Sequence, residues 1–163
     1  MKNTSRHSKN SLIVAVVGGS RCSAEVERIS QKIGFLLGKM GAIVVCGGLG
    51  GVMEAVAKGV KRAKGICIGF LPGINKEDAN HYLTIALPTG LGFARNTLVV
   101  GCADVVIAMP GKFGTLSEIA FAMNMKKPVI GIGRPRDIEG VIQADTPKEA
   151  VERISRLRKF KKI

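Results

Sequence analysis

The sequence contains no tryptophan, and aromatic residues make up only 4% of its 163 residues. That scarcity argues against a nucleic-acid reader built on bases stacked over an aromatic platform. Acids are also scarce: 12 Asp and Glu stand against 25 Lys and Arg, a net charge of +13. No segment approaches the roughly 20 consecutive apolar residues of a membrane span, since Asp104 interrupts the longest candidate. A signal peptide is not expected. Residues 1–11 are polar, and the apolar run Leu12–Val17 is short and lacks a small-residue cleavage pattern after it. The four cysteines, Cys22, Cys46, Cys67 and Cys102, form no C-x-x-C pair. Cys46, Cys67 and Cys102 lie in apolar segments and are expected as buried free thiols, not zinc ligands or disulfide partners. This usage fits a reducing cytoplasm. The two histidines, His7 and His81, fall in polar stretches and make no metal constellation.

What the chain does have is apolar content and glycine. Its apolar fraction of 46% excludes an intrinsically disordered protein. The length suits one domain of ordinary size. Glycine occurs 21 times, about twice the usual share of roughly 7%, and without the G-x-y period of collagen. The charge is uneven. Residues 1–10 contribute +3 and residues 148–163 contribute +5, so the two ends supply +8 of the +13. Solubility and loose attraction to polyanions account for such ends. A nucleic-acid role is open only to these basic tails, and they carry no docking motif.

Apolar runs rich in β-branched residues alternate with helical stripes along the chain. Strands are expected at Leu12–Val17, Ala42–Cys46, Ile66–Leu71, Thr84–Leu87, Asp104–Met109, Pro128–Ile132 and Val141–Gln143. Helices are expected at Ser23–Met40, Gly51–Lys64, Leu91–Gly101 and Thr115–Lys126, with a last one opening at Thr146-Pro147-Lys148-Glu149. Residues 74–82 read as a polar loop. Strands that are apolar throughout and alternate with helices imply a mainly parallel sheet covered on both faces. The expected fold is therefore three-layer, Rossmann-like α/β. Residues 1–10 read as a disordered leader, and 11–163 as a single nucleotide-binding domain ending in a basic helix.

The glycines concentrate after the strands. Gly18-Gly19-Ser20 follows the first strand, Gly47-Gly48-Leu49-Gly50-Gly51 the second, and Pro110-Gly111-Lys112-Phe113-Gly114-Thr115 the fifth. In open α/β sheets, ligands bind outside the carboxyl ends of the strands. Glycine there lets backbone N–H groups approach a ligand, and a helix N-terminus favours phosphate. A phosphorylated small molecule is the expected partner. The P-loop pattern G-x-x-x-x-G-K-[ST] is absent. So are a G-x-G-x-x-G after strand one and an acid at the end of strand two, which argues against NAD. A mononucleotide or ribose-phosphate ligand remains.

Three charged residues stand near these loops. Glu118 follows Thr115 by three residues, so it is either half of a capping box or a rim carboxylate for ribose hydroxyls or general-base work. Arg95, in Gly92-Phe93-Ala94-Arg95-Asn96, is either a surface residue or an anion clamp. Glu54 would repel phosphate and reads as a contact to ribose or base, or as a plain first-turn acid.

The run Pro110-Gly111-Lys112-Phe113-Gly114-Thr115-Leu116-Ser117-Glu118 resembles the PGGxGTxxE motif of the LOG (Lonely Guy) family. Gly47–Ala55, Leu71-Pro72-Gly73, Thr89–Asn96 and Gly114–Ala120 are similar to the branch of that family that contains molybdenum-cofactor carrier proteins. The likeness spans roughly residues 12–134. It implies Arg95 and Glu118 as catalytic residues, Gly111, Gly114 and Thr115 as a phosphate loop, and a homodimer or higher homo-oligomer. The implied reaction is hydrolysis of the N-glycosidic bond of a nucleoside 5′-monophosphate. The alternative is a non-catalytic carrier or sensor of a phosphorylated pterin such as molybdenum cofactor. Nothing implies a required cofactor or a metal, and lysine decarboxylation would need an electron sink that the chain does not suggest. Two residues depart from the motif: Lys112 replaces its second glycine, and Asn96 stands where plant-type enzymes have Lys. The nucleotide-binding set is completed by Gly18, Gly19, Ser20, Gly47, Gly48, Gly50, Gly51, Glu54 and Pro110.

Overall fold

The computed structural model describes residues 11–161, so the leader assigned to residues 1–10, with His7, lies outside the described residues. Strands β1 (Ile13–Val17), β2 (Ile43–Cys46), β3 (Ile66–Leu71), β4 (Ile85–Pro88), β5 (Val105–Ala108), β6 (Val129–Gly131) and β7 (Ile142–Gln143) form one seven-stranded sheet. Its order is β4-β3-β2-β1-β5-β6-β7, and every pairing is parallel. Between them run α1 (Ala24–Lys39), α2 (Val52–Arg62), α3 (Asn96–Gly101) and α4 (Phe113–Asn124), and α5 (Pro147–Lys161) follows β7. β1 lies between β2 and β5, pairing Val14 with Val44 on one side and Val105 on the other. The chain therefore builds outward from β1 to β4, then crosses to β5. This switch opens a crevice between the loops that follow β1 and β5.

Alternation along β1 divides the core. Val14 and Val16 pack with Ile33 and Leu37 of α1, Val56 and Val60 of α2, and Ile154 of α5. Ala15 and Val17 pack with Val99 and Val100 of α3 and Ile119 and Ala122 of α4. Each fully buried Ile or Leu contributes about 1.5–3 kcal/mol. The strands are apolar on both sides because each side meets a helix layer, the three-layer α/β arrangement expected from the sequence.

Glycine also serves the packing of α1 on α2. A Cβ at Gly59 would stand 2.8 Å from the Phe35 backbone nitrogen, and one at Gly38 would stand 2.7 Å from Ala63 Cβ. The two helices touch through bare backbone, and a methyl group at Gly59 would overpack the contact by about 1–3 kcal/mol. Ser23 caps α1, its Oγ accepting from the Val26 N–H at 3.3 Å.

Four expectations are corrected. The Leu91–Gly101 helix is two pieces, a 3-10 turn Gly92–Arg95 followed by α3. Positive φ at Gly90 and Gly92 sets that tight turn. α4 begins two residues before Thr115, with Lys112 at its N-cap position, so the Thr115–Glu118 capping box does not exist. Cys102 is exposed, because α3 ends there and the chain turns outward, whereas Cys46 and Cys67 are buried as expected. A 3-10 turn at Arg134–Asp137, not expected from the sequence, follows β6. Among the described residues no helix is long and apolar enough to cross a membrane.

Candidate functional site

With every strand parallel, the glycine-bearing loops leave the sheet along one rim. They are tied to one another. The Gly19 N–H donates to the Pro110 carbonyl at 3.0 Å, and the Val52 N–H donates to the Gly19 carbonyl at 3.0 Å. A Cβ at Gly51 (φ +62°) would lie 2.5 Å from the Ser20 carbonyl carbon, and one at Gly111 would lie 2.9 Å from Gly19 N and 2.7 Å from Thr115 Cβ. These contacts exclude side chains at both positions. The Asn80 amide closes the second loop from above, donating to the carbonyls of Gly48 and Leu49 at 3.2 and 3.0 Å. Lys112 is exposed and has φ −110°, which any residue adopts, so its departure from the motif crowds nothing.

The first turn of α4 is open. Its first helical bond runs from the Leu116 N–H to the Lys112 carbonyl at 3.0 Å. The N–H groups of Phe113, Gly114 and Thr115 have no acceptor among the described residues. Three unused donors and the helix dipole make this end receptive to an anion. The corresponding end of α2 is less open, because Gly19 takes the Val52 N–H.

Arg95, Asn96 and Glu118 converge beside that turn. The 3-10 turn and α3 place Arg95 beneath the surface, 7% exposed, which excludes its reading as a surface residue. Arg95 Nη1 donates to Asn96 Oδ1 at 2.7 Å. Asn96 Nδ2 donates to Ser117 Oγ at 3.2 Å and reaches the Gly114 carbonyl at 3.4 Å. Asn96 thus links the guanidinium to α4. Gly47 makes room for it: a Cβ there would stand 2.5 and 2.6 Å from the two terminal nitrogens of Arg95. Arg95 Nε is buried without a hydrogen-bond partner, an arrangement that an incoming acceptor would relieve. Glu118, 5% exposed, stands 3.9 Å from Arg95 Nη1. Burial pushes its carboxyl up to about 7 against the opposing pull of Arg95. Burial also lowers the Arg95 pKa, partly offset by Glu118.

The remaining candidates fall elsewhere on the rim. Ser20, Gly51 and Glu54 line a cavity of about 350 Å³ on the α1–α2 side, with Arg21, Lys58 and Tyr82. Gly111, Lys112 and Thr115 line another of about 320 Å³, between α4 and the turn at Arg134–Asp137. The sequence reading missed Ser117, Arg21, Lys58, Tyr82 and Arg134. Only Lys58 had a signal, its i, i+4 spacing from Glu54; the others come together through loop geometry.

A parallel sheet of this order, with a glycine-lined carboxyl rim, defines an α/β protein of the Rossmann-like, LOG-like class. The chain belongs to the SLOG cluster4 family, whose model matches residues 11–162. An uncharacterized protein of Archaeoglobus fulgidus is 40% identical over 138 residues, 85% of this chain and 91% of that protein. The molybdenum cofactor binding protein of the phototrophic bacterium Rippkaea orientalis is similar in structure, with TM-score 0.87 and 34% identity over 92% of this chain and 99% of that one. The Moco carrier protein of Chlamydomonas reinhardtii matches with TM-score 0.83 and 28% identity, covering 93% and 99% of the two chains. DNA processing protein A of Helicobacter pylori, at 19% identity and TM-score 0.70, covering 89% and 80%, shares the fold.

Proposed function

We propose that this protein binds a phosphorylated heterocycle, of the nucleoside 5′-monophosphate or phosphorylated-pterin type, and carries it as cargo. The phosphate would rest on the free N–H groups of Phe113, Gly114 and Thr115, with Arg95 completing its charge balance. The observation that carries this reading is the buried Arg95 Nε without a partner, beside the open first turn of α4. The likeness to proteins named for molybdenum cofactor supports the pterin type. The bare backbone at Gly47 and Gly111 suits a ligand that approaches closely. The test is thermal unfolding with GMP, AMP, inorganic phosphate and molybdenum cofactor. A ligand at 100 times its Kd adds about 2.7 kcal/mol to the native state; no shift with any of them rejects the reading.

A second reading is favoured by Glu118, whose carboxyl titrates near 7. Such a group can exchange a proton at neutral pH. It would accept a proton from water as the water oxygen bonds to ribose C1′. The C1′–N bond would then break, and the base would leave with a proton, releasing ribose 5-phosphate. Release of free base from a panel of nucleoside monophosphates, abolished in Glu118→Ala, would establish hydrolysis. No release above background leaves carriage alone.

A further inference from the structure

The cavity on the α1–α2 side is walled by four charged side chains, Arg21, Glu27, Glu54 and Lys58, with Tyr82 beside them. None of the four has an opposite charge within 4.0 Å among the described residues. Glu54 and Lys58 occupy i and i+4 in the order that favours a helical ion pair. Lys58 instead holds its ammonium 5.7 Å from the centroid of the Tyr82 ring. Glu27 accepts a hydrogen bond from Gln31 at 3.0 Å. Glu54, half-buried, has neither an ion pair nor a hydrogen bond among the described residues. Charges of both signs that share a cavity without neutralising one another leave both available to a ligand. The volume of about 350 Å³ lies within the range of small-molecule sites.

We infer that this cavity takes a monophosphate of a 2-amino-4-oxo fused pyrimidine, the ring type shared by guanine and pterin. Glu54 reads the ring edge, and Arg21 and Lys58 take the phosphate. The edge of such a ring presents a ring N–H and an exocyclic amine side by side, two donors that match the two oxygens of one carboxylate. Adenine presents an acceptor nitrogen in the ring N–H position, which a carboxylate repels and leaves unpaired. Tyr82 supplies the only aromatic wall for the ring in this cavity. The cavity shares no lining residue with the Arg95, Asn96 and Glu118 group, so it goes beyond the site proposed at α4.

Cys22 lines this cavity and is partly exposed, which makes it a local reporter. Its alkylation by N-ethylmaleimide, followed by peptide mass spectrometry, is compared with that of exposed Cys102. Saturating GMP should slow labelling of Cys22 by about tenfold relative to AMP, the discrimination that a bidentate edge contact supplies. Cys102 should be unaffected. Glu54→Gln should erase the preference for GMP, because a carboxamide offers one donor and one acceptor and accepts either edge. Lys58→Ala should weaken protection by the nucleotide phosphate while leaving the fold intact. Arg95→Ala should keep the protection, which separates this cavity from the α4 site. Equal protection by GMP and AMP, protection by neither, or protection lost in Arg95→Ala would each overturn the inference.

Discussion

Arg95 Nη1 and Glu118 Oε1 stand 3.9 Å apart, both side chains more than nine-tenths buried, with no hydrogen bond between them. At that distance Coulomb attraction offsets only part of the desolvation of the two charges. Glu118 is accordingly pushed up while Arg95 is pulled down, each by burial first and each partly rescued by the other.

The pair makes stability depend on pH in a defined direction. The folded carboxyl of Glu118 titrates at about 7, against 4.5 for its ordinary value. Between these values the folded state holds a proton that the unfolded state has lost, so stability falls as pH rises through this window. The loss above pH 7 is on the order of 3 kcal/mol, at 1.36 kcal/mol per pKa unit. Glu118→Gln, isosteric with the protonated acid, should match the wild type at pH 5 and exceed its melting temperature at pH 8. Parallel melting curves at both pH values would contradict this account.

Gly111 and Lys112 are neighbours with opposite tolerances. A Cβ at Gly111 would run into Thr115 and Gly19 N, whereas Lys112 is exposed at φ −110°. Gly111→Ala should lower stability by about 1–3 kcal/mol through overpacking and weaken any phosphate ligand as the loop shifts. Lys112→Gly, the residue of the family motif, should leave the fold unchanged and affect only the charge term of binding. Chemical unfolding and ligand titration of the two variants check both statements. Equal effects would mean that the loop is not packed as described.

The strands were the most legible part of the sequence. β3 at Ile66–Leu71 agrees with its apolar run to the residue, because both of its faces are covered and nothing competes with the pattern. The Leu91–Gly101 segment was less legible. Over so few residues, apolar spacing does not distinguish a 3-10 turn followed by a helix from one continuous helix. Composition foretold the rim glycines but not Gly59 and Gly38, whose need for bare backbone exists only once α1 lies against α2. Arg95 and Glu118 were readable as candidates from the motif. Their mutual distance and burial were not, since both depend on how α3 meets α4. Tyr82 and Arg21 meet only because Asn80 folds its loop onto Gly48 and Leu49.

The opening of α5 follows its sequence signature and can be tested by a single atom group. Thr146 Oγ1 accepts from the Glu149 N–H at 3.1 Å, and Glu149 Oε2 accepts from the Asp145 N–H at 2.9 Å. Pro147 occupies the first helical position. Thr146→Ala should cost about 1 kcal/mol, the ordinary value of an N-cap. Thr146→Ser should restore it. Because Ile154 and Ala150 of α5 belong to the same core cluster as Ile33 and Leu37, the loss should register in global unfolding. A neutral Thr146→Ala variant would show that packing alone sets the helix start.

The α3–α4 side of the molecule bears on the assembly that the family resemblance implies. Phe113 is 87% exposed, Leu116 51%, and Leu98 of α3 38%. Between residues 91 and 125 the charged residues are Arg95, Asp104, Lys112 and Glu118, and Arg95 and Glu118 are buried. The opposite layer differs: Lys32, Lys39, Lys61 and Arg62 lie exposed on α1 and α2. An exposed apolar helix face with little charge marks an interaction site, and a second copy, paired across a two-fold axis, would cover it with the same residues. Light scattering should give twice the chain mass of 17.2 kDa. Phe113→Asp combined with Leu116→Glu should return it to one, since charges at the centre of such a face cannot be buried unpaired. Lys32→Glu, on the charged layer, should not. Phe113 also begins the open turn of α4, so the monomeric variant should bind phosphate ligands more weakly than Lys32→Glu does. A wild-type mass of one chain would reject this pairing, and it would do so without touching the ligand site, because Arg95, Asn96 and Glu118 are held entirely by contacts within one chain.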